Sequence, residues 1–197
     1  MFDIASAFDK VWHHGLLFKL VSMETPLYLV QLIQDFLKDR TFSVKMGDYE
    51  TQMYPISCGV PQGAVMSPTL FSIYINDIPV RYDNRKGRHS LLYADDLIYM
   101  AKVGKSTKTI EKITNNYLNE LEKWSKQWRL KFAPHKCSYT IFARSKKATA
   151  IRINLKMYDT HINEEKNQKF LGLVFDSGLT GKNHMEKIKK TCTLSDY

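Results

Sequence analysis

Apolar residues recur at helical spacing in several parts of the chain. The strongest pattern lies at 106–129, where an apolar stripe runs between Lys and Glu positions, as in a helix with one buried face. Thr25-Pro26 and Ser67-Pro68 each place a capping residue before a proline, a signal that opens a helix. The predicted helices cover 15–23, 25–37, 67–78, 106–129 and a basic segment from about Asn183.

Other segments are rich in β-forming residues and are bounded by turn signals. Gly47-Asp48 separates two of these segments and predicts a hairpin, whereas 58–64 and 81–89 are predicted as loops. The predicted strands cover 2–7, 41–46, 49–56, 91–93, 97–101, 138–143, 150–157 and 169–175. Because helices and strands mix without regular alternation, the pattern favours an α+β fold over a doubly wound sheet.

Composition indicates a folded chain. The 197 residues are 44% hydrophobic and 12% aromatic, enough to bury the core of one sizeable domain or two small ones. No apolar run approaches the roughly 18 residues of a membrane span, and the first residues lack the basic start of a secretory signal. The widely spaced Cys58, Cys137 and Cys192 predict neither disulfides nor zinc, which fits a reducing compartment. We expect an intracellular protein, in the nucleus, the cytoplasm or both.

Charge is divided unevenly along the chain. The total is +9, but residues 1–100 hold 9 basic and 11 acidic residues, whereas residues 101–197 hold 20 and 9. The excess positive charge therefore lies in the second half. It is typical of a solvated lysine surface, or of a surface that binds a nucleic-acid backbone, while the acidic half could hold metal ions. Charge alone does not choose between these interpretations.

Two adjacent carboxylates interrupt an apolar stretch. Asp95 and Asp96 lie between the runs 91–93 and 97–101, so a hairpin would place both acids at its tip rather than in the core. Acids this close repel each other, and a divalent cation would relieve the repulsion. With no Cys or His nearby, oxygen ligands favour Mg²⁺ or Mn²⁺ over zinc. The alternative is an ordinary Asp-Asp turn.

Two further motifs carry candidate chemistry. In the run 2–9, Asp3 lies in an apolar strand, and small residues separate it from Phe8-Asp9; the alternative is an exposed Asp3 and a capping Asp9. In the loop 58–64, Gly63 would let the backbone approach a flat ligand, and Gln62 could contact a sugar or a base edge. The alternative for this loop is a Gly-Pro turn before a helix.

In order and spacing, these segments resemble reverse transcriptases, in particular those of non-LTR (LINE-type) retrotransposons of the jockey-like group. FDIASAFDKVWH resembles the first palm motif of this family, GVPQGAVMSPTLFSIYINDIP the second and YADDLIYM the third. WRLKFAPHKC and KFLGLVFD resemble the two motifs that usually follow. The resemblance covers nearly the whole chain and implies an RNA-directed DNA polymerase with a ferredoxin-like palm, an antiparallel sheet backed by helices.

The resemblance also implies a two-metal site. In the family, an acid on a strand and the acidic hairpin bind two Mg²⁺ or Mn²⁺ ions, and these acids correspond here to Asp3, Asp95 and Asp96. We expect Asp3 and Asp95 to bridge both ions and Asp96 to matter less. Lys136 matches the lysine that protonates pyrophosphate, although His135 and Pro134 stand where the family often has Asn nearby.

The remaining site assignments come from the same resemblance. Phe8 matches the steric gate against ribonucleotides, and the alternative is a core aromatic; Ala7, Gln62 and Gly63 match nucleotide-binding positions. On the primer side, Tyr93 would lie near the primer end, or be a plain strand aromatic. Phe170, Leu171 and Gly172 match the primer grip. The basic stretch 166–190 could follow a duplex backbone, reading A-form shape rather than sequence. The scattered His13, His14, His135 and His161 are predicted as surface or loop residues.

The expected domain organisation is a single reverse transcriptase domain fragment. Its parts are palm at 1–11, partial fingers at 12–61, palm at 62–165, and the primer grip with the start of a thumb at 166–197. The expected partners are an RNA template, a DNA primer and dNTPs, with no membrane. The full-length element would add the missing fingers and thumb and an endonuclease domain. Three hypotheses stay open: a polymerase, a non-catalytic nucleic-acid-binding remnant, and a decayed insertion.

Overall fold

The chain folds into two compact units that contain both helices and strands, which confirms the prediction of a mixed helix-and-sheet fold. The sheet unit comprises Met1–Asp3, Val80–Glu122 and Phe132–Tyr197, and the helical unit comprises Ile4–Pro79 and Lys123–Lys131. The structure is a computed structural model. It describes residues 1–80, 82–84, 87–102, 106–143 and 151–194. None of the helices in these ranges is both long and apolar enough to cross a membrane.

Five α-helices occur in the described residues. They are α1 (His13–Ser22), α2 (Leu27–Leu37), α3 (Ser67–Ile75), α4 (Thr107–Trp128) and α5 (Lys182–Leu194). Short 3₁₀ turns occupy Phe8–Lys10 and Pro134–Lys136. All five predicted helices are therefore present, and the apolar stripe of 106–129 forms the longest of them. Its buried positions include Leu118 and Leu121, both with no exposed surface.

The strands are short and mostly pair as hairpins. They are β1 (Phe2–Asp3), β2 (Thr41–Phe42), β3 (Lys45–Met46), β4 (Tyr49–Glu50), β5 (Tyr54–Pro55), β6 (Tyr82–Asp83), β7 (Arg88–Tyr93), β8 (Asp96–Ala101), β9 (Ser138–Tyr139), β10 (Lys156–Met157), β11 (Thr160–His161), β12 (Asn163–Glu164), β13 (Asn167–Phe170) and β14 (Leu173–Asp176). The predicted hairpin around Gly47 is confirmed, because β3 pairs with β4 and β2 pairs with β5.

The sheet unit is built around one four-stranded sheet. Its order is β1-β8-β7-β6, and every neighbouring pair is antiparallel. One face packs on α4, where Tyr99 of β8 stacks on Tyr117 at 4.3 Å between ring centroids. Leu97 is fully buried, but Leu91 and Tyr93 on the neighbouring strand are 50% and 63% exposed. The apolar run 91–93 therefore lies only partly in the core, contrary to the expectation for that strand.

The helical unit packs α1 to α3 around a buried lysine. Lys19 of α1 donates to the backbone oxygen of Tyr74 and pairs with the carboxylate of Asp77. Its ammonium also lies 3.6 Å from the ring centroid of Trp128 and 5.6 Å from that of Trp124. Burial lowers the pKa of Lys19, and the Asp77 carboxylate partly counters this. Helical periodicity alone gives no sign that this lysine is buried.

The two predicted N-caps are wrong in detail. Helix α2 begins at Leu27 with Pro26 as its N-cap, so Thr25 does not cap it. Helix α3 begins at Ser67 itself, whose hydroxyl donates to the backbone oxygen of Pro61 at 2.5 Å and does not accept from a backbone N–H group of the helix. It also ends at Ile75, three residues before the predicted end. The serine instead ties the helix start to the preceding loop.

Several predicted strands and loops differ from the structure. The strand predicted for 2–7 stops at Asp3, because Ser6 adopts a positive φ of 48° and the chain turns into a 3₁₀ segment. The loop predicted for 81–89 contains β6 and the start of β7, although Arg81, Arg85 and Lys86 lie outside the described residues. Of the strand predicted for 150–157, only Lys156–Met157 is regular, and Ala150 lies outside the description.

Removing one buried hydroxyl should measurably weaken the helical unit. Tyr74 is fully buried, its hydroxyl donates to the backbone oxygen of Trp128, and burial raises its pKa to about 12. Tyr74→Phe leaves that oxygen buried without its donor, at a cost of about 1–2 kcal/mol in the free energy of unfolding. Urea unfolding measures the difference. Tyr28→Phe, at a side chain 69% exposed, serves as the control, and equal effects of the two variants would contradict the prediction.

Candidate active site

Two aspartates face each other across the edge of the main sheet. β1 pairs with β8 so that Asp3 lies directly opposite Asp96, one residue from the Phe2–Leu97 pair. Directly opposed residues in an antiparallel pair project their side chains on the same face. Phe2 and Leu97 are buried and fix this register, because a slip of β1 by one residue would turn Phe2 out of the core. The core therefore holds the two carboxylates together on one face.

The third carboxylate sits in the turn of the hairpin. Tyr93 pairs with Asp96, so Ala94 and Asp95 form a two-residue connection between β7 and β8. Ala94 adopts a φ of 48°, a left-handed conformation that costs a non-glycine residue about 1–2 kcal/mol. The prediction of a hairpin with acids at its tip is confirmed. Asp96 lies opposite Asp3 and Asp95 lies beside it in the turn, and the ranking of Asp95 above Asp96 stays a prediction.

The clustered carboxylates disturb the titration of Asp96. Partial burial raises its pKa, and the negative charges of Asp95 and Asp3 raise it further. Both causes act against the ionised form, so the folded protein holds a proton on Asp96 more tightly than the unfolded chain does. A positive charge near the cluster would offset this repulsion.

Lys136 supplies part of that compensation. Its ammonium lies 3.3 Å from Oδ2 of Asp3, and it belongs to the 3₁₀ turn that follows α4. The Lys136 side chain is 60% exposed, whereas that of Asp3 is 28% exposed. The contact is electrostatic, because Oδ2 is buried and accepts no hydrogen bond from any residue the structure describes. The backbone holds this turn in place, since Ala133 N donates to the Asp3 carbonyl at 2.9 Å.

The carboxylate oxygens of this cluster are the type of ligand atom that a divalent cation prefers. Asp3, Asp95 and Asp96 offer only oxygen atoms, one of them buried and without a hydrogen bond, which suits Mg²⁺ or Mn²⁺. Across the described ranges, however, no group of three or more His, Cys, Asp or Glu side chains is gathered closely enough to hold an ion. The structure thus brings two of the three predicted ligands face to face and leaves the third in the adjoining turn.

The predicted nucleotide-binding residues lie in the helical unit. Phe8 is half-buried and stacks on Phe71 at 4.5 Å between ring centroids, while the methyl group of Ala7 is buried. Gln62 is exposed and donates from Nε2 to the Asp9 carboxylate at 2.9 Å. Gly63 has a φ of 87°, and a Cβ there would meet nothing within 4 Å, so its backbone faces open space. Ala7 as a whole is only 5% exposed, so it offers little surface to a ligand.

The predicted primer-side residues lie in the sheet unit. Phe170, Leu171 and Gly172 form the end of β13 and the turn into β14, a hairpin that α5 contacts. Leu171 and Gly172 both have positive φ values, of 45° and 85°, and Leu171 is 51% exposed. The glycine is explained by this tight turn. Tyr93 is exposed at the end of β7, next to the acidic turn.

Sequence reasoning missed three residues that hold the loop 58–63. His13 was predicted as a surface or loop residue, yet it begins α1 and donates from its ring to the Gly59 carbonyl at 2.8 Å. Arg40 donates to the same oxygen at 3.2 Å, and Asp9 accepts from Gln62. His14, His135 and His161 are exposed, as predicted. Distant pairings of this kind leave no periodic signal in a sequence.

Neutralising Asp96 should stabilise the protein. Its folded-state pKa is raised, so the stability it contributes is present below its ordinary pKa of 3.8 and is lost as pH rises through the folded value. At pH 7, Asp96→Asn removes the repulsion from Asp3 and should raise the free energy of unfolding by about 0.5 kcal/mol. Thermal unfolding from pH 4 to 8 measures this, with the exposed Asp159→Asn as control. A destabilised Asp96→Asn variant at pH 7 would overturn the electrostatic account.

A facing pair of aspartates on neighbouring strands, with a third in the adjoining turn and a lysine beside them, is typical of one class of protein. This class comprises enzymes that transfer phosphoryl or nucleotidyl groups. Comparison with known families is more specific. The family described as "Reverse transcriptase (RNA-dependent DNA polymerase)" matches residues 1–175. The chain therefore belongs to the reverse transcriptase family, which confirms the resemblance drawn from its motifs.

Curated relatives agree with this assignment. The RNA-directed DNA polymerase from mobile element jockey of Drosophila melanogaster is 34% identical over 194 residues, covering 95% of this chain and 20% of the relative. The protein of the same name from Drosophila funebris is 33% identical over 198 residues, with the same coverage. The probable RNA-directed DNA polymerase from transposon BS of Drosophila melanogaster is 29% identical, over 96% of this chain and 21% of its own. The chain spans about a fifth of the length of these relatives.

Proposed function

We propose that this chain carries the palm of a retrotransposon reverse transcriptase and copies an RNA template by extending a DNA primer with dNTPs. The observation that supports this most is the Asp3–Asp96 pair with Lys136 beside it, in a chain whose family match covers residues 1–175. The names of the jockey relatives support the same reaction, because those proteins are RNA-directed DNA polymerases of mobile elements.

In the proposed site, Asp3, Asp95 and Asp96 hold two divalent ions, either Mg²⁺ or Mn²⁺. When bound, such ions activate the primer hydroxyl and neutralise charge on the transferred phosphate. The protein's part would be to hold the carboxylates close together, and the β1–β8 register supports this for Asp3 and Asp96. Lys136 forms an ion pair with Asp3 in this structure, and its exposed ammonium is suited to donate a proton to the departing pyrophosphate.

The nucleotide would be bound by the loop of the helical unit. Gln62 is exposed, and its side-chain Nε2 donates to the Asp9 carboxylate. The rest of its amide group can therefore contact a sugar or a base edge. Gly63 leaves room for a nucleotide to approach its backbone closely. Ala7 directly precedes Phe8 in the chain and is proposed to belong to the same nucleotide site. Phe8 stacks on Phe71, which holds its ring in place, and the ring is suited to exclude a ribose 2′-hydroxyl.

The nucleic acid would lie along the basic part of the sheet unit. Tyr93 and the hairpin turn at 170–172 are exposed, and α5 places Lys182, Lys187, Lys189 and Lys190 after that hairpin. Lysines contact phosphates without reading bases, so binding should weaken steeply with salt and depend little on sequence. In this proposal the 1–11 and 62–165 segments form the palm, 12–61 part of the fingers, and 166–197 the primer grip and the start of a thumb.

Primer extension tests the proposed reaction directly. The purified chain is incubated with an RNA template, a labelled DNA primer, dNTPs and Mg²⁺ or Mn²⁺, with EDTA and the Asp95→Ala variant as controls. Template-dependent extension that both controls remove supports the proposal. Salt-dependent binding of the duplex without extension would instead favour a non-catalytic nucleic-acid-binding protein, and the absence of both would favour a decayed element.

Truncating the proposed gate should relax sugar selection. Phe8→Ala opens the space that a 2′-hydroxyl would occupy, and we expect it to raise the ratio of ribonucleotide to deoxynucleotide incorporation about tenfold or more. Phe8→Tyr keeps the ring and its stacking on Phe71 and should behave as the wild type. Single-nucleotide extension with dNTP and rNTP pairs measures the ratio. An unchanged ratio in an active Phe8→Ala variant would remove Phe8 from this role.

A further inference from the structure

Hydrogen bonds connect two segments of the helical unit, 8–11 and 58–60, which contain or adjoin residues of the proposed nucleotide site. Gly59 N donates to the Val11 carbonyl and Val60 N to the Phe8 carbonyl, both at 2.8 Å. The thiol of Cys58 also donates to the Asp9 carbonyl at 3.3 Å. These three bonds place the segment 8–11 alongside the loop 58–60, so the position of one backbone determines that of the other.

Gly59 allows the two backbones to approach unusually closely. It has a φ of 89°, and a Cβ built on it would lie 2.8 Å from the carbonyl oxygen of Asp9 and 2.9 Å from its Cα. No other residue fits there without displacing the backbone of Asp9. The Gly59 carbonyl in turn accepts hydrogen bonds from His13 and Arg40. Asp9 is therefore held in a fixed place relative to the loop.

Gln62 is held from the other side. It follows Pro61, whose carbonyl accepts from the Ser67 hydroxyl at 2.5 Å and from Ala64 N at 3.3 Å, so the start of α3 anchors the backbone before it. Its side chain crosses to Asp9, where Nε2 lies 2.9 Å from Oδ1. An exposed glutamine would otherwise sample several rotamers, but here both ends of the bond stand on anchored backbone.

The Asp9 carboxylate fixes which way the Gln62 amide points. An ionised carboxylate only accepts hydrogen bonds, so the amide must turn its NH₂ group toward Asp9. The Oε1 atom and one remaining N–H are then left for a ligand. We propose that Asp9 is a positioning residue, which orients the Gln62 amide and thereby raises affinity for the incoming nucleotide. The functional half of this inference rests on the proposed polymerase function.

The orientation itself can be tested without any reaction. In the wild-type chain labelled with ¹⁵N, the side-chain NH₂ of Gln62 should exchange slowly with water and show restricted motion. Asp9→Ala should make its exchange and motion those of a free glutamine, whereas the exposed Asp48→Ala should leave it unchanged. Asp9→Asn should give intermediate behaviour, because an amide at position 9 accepts either orientation of Gln62. A Gln62 signal indifferent to Asp9→Ala would overturn the inference.

Nucleotide affinity tests the consequence. The protein is bound to an RNA template and a DNA primer that ends in a dideoxynucleotide, and the next dNTP is titrated with Mg²⁺ present. Asp9→Ala and Gln62→Ala should each raise the dNTP dissociation constant about three- to tenfold, and the double variant should be no weaker than Gln62→Ala. Effects that multiply in the double variant, or an unchanged dissociation constant in Asp9→Ala, would overturn the inference.

The two proposals fail in different ways. Suppose that the wild-type complex binds dNTP, that Gln62→Ala weakens this binding and that the Asp9 variants bind dNTP as tightly as the wild type. The positioning role of Asp9 is then wrong, while the polymerase proposal stands. If the wild type binds neither template–primer nor dNTP, the polymerase proposal is wrong and the role of Asp9 in nucleotide affinity falls with it. Thermal unfolding of each variant, with Asp48→Ala for comparison, shows that any loss is not a loss of fold.

Discussion

Replacing Asp3 by Asn is expected to abolish primer extension, lowering the rate by at least about 10²- to 10³-fold. The change keeps the size of the side chain and removes only the charge, so the β1–β8 pairing that positions it should survive. Asp95→Asn should have an effect of the same size. Asp3 also carries a buried oxygen that accepts no hydrogen bond from a described residue, and such an atom is suited to bind a cation.

The control for this experiment is an exposed aspartate of the same chain that has no place in the proposed site. Asp48 lies exposed in the turn between β3 and β4, and Asp48→Asn should extend primers at the wild-type rate. Thermal unfolding should show that Asp3→Asn is folded. Full extension by a folded Asp3→Asn variant would mean that this carboxylate takes no part in catalysis.

Much of the carboxylate cluster could be predicted from the sequence, whereas its supports could not. Asp95 and Asp96 stand out because acids between two apolar runs must avoid the core, and the structure places them at a hairpin turn as that argument requires. The pairing of Asp3 with Asp96 joins positions 93 residues apart, and local pattern gives no register for such a pair. The Asp9–Gln62 bond escaped prediction for the same reason.

Lys19→Ala is expected to destabilise the helical unit by about 3 kcal/mol, since it breaks an ion pair whose lysine is buried and removes the contacts of that lysine with two tryptophan rings. The Asp77 carboxylate is 48% exposed and keeps its hydrogen bond from Trp124 Nε1 at 2.8 Å, which places the cost toward the lower end for buried pairs. Lys19→Met should cost less than Lys19→Ala, because methionine refills the space of the lysine stem. Urea unfolding measures both variants.

An exposed pair of the same kind provides the comparison. Nζ of Lys38 lies 3.6 Å from Oδ2 of Asp39, and the two side chains are 64% and 84% exposed. Lys38→Ala should therefore change the free energy of unfolding by less than about 1 kcal/mol. If Lys19→Ala were as mild as Lys38→Ala, the aromatic and carboxylate contacts around Lys19 would contribute nothing measurable, and this account of the helical core would fail.

The burial of Lys19 could not be predicted from the sequence, although the helix that carries it could. The apolar spacing in α1 and α4 predicts both helices, because burial of one face follows the helical repeat. It does not predict that a charged residue joins the buried face, which depends on Asp77 and Trp128 arriving from distant parts of the chain. The N-caps at Thr25 and Ser67 failed similarly, since Ser67 found a partner in Pro61 that competes with capping.

The interleaving of the two units along the chain sets an order for their completion during protein synthesis. The last residue of the helical unit is Lys131, whose carbonyl accepts from Ala5 N at 2.8 Å. Asp3 is made before both of its partners, so its strand waits for Asp96 and then for Ala133 before it is fully bonded. At about 5–20 residues per second, a ribosome takes on the order of ten seconds to cover that distance. A nascent chain that ends at Lys131 would contain every residue of the helical unit, and its β1 could already pair with β8 but would still lack the hydrogen bond from Ala133 N to Asp3.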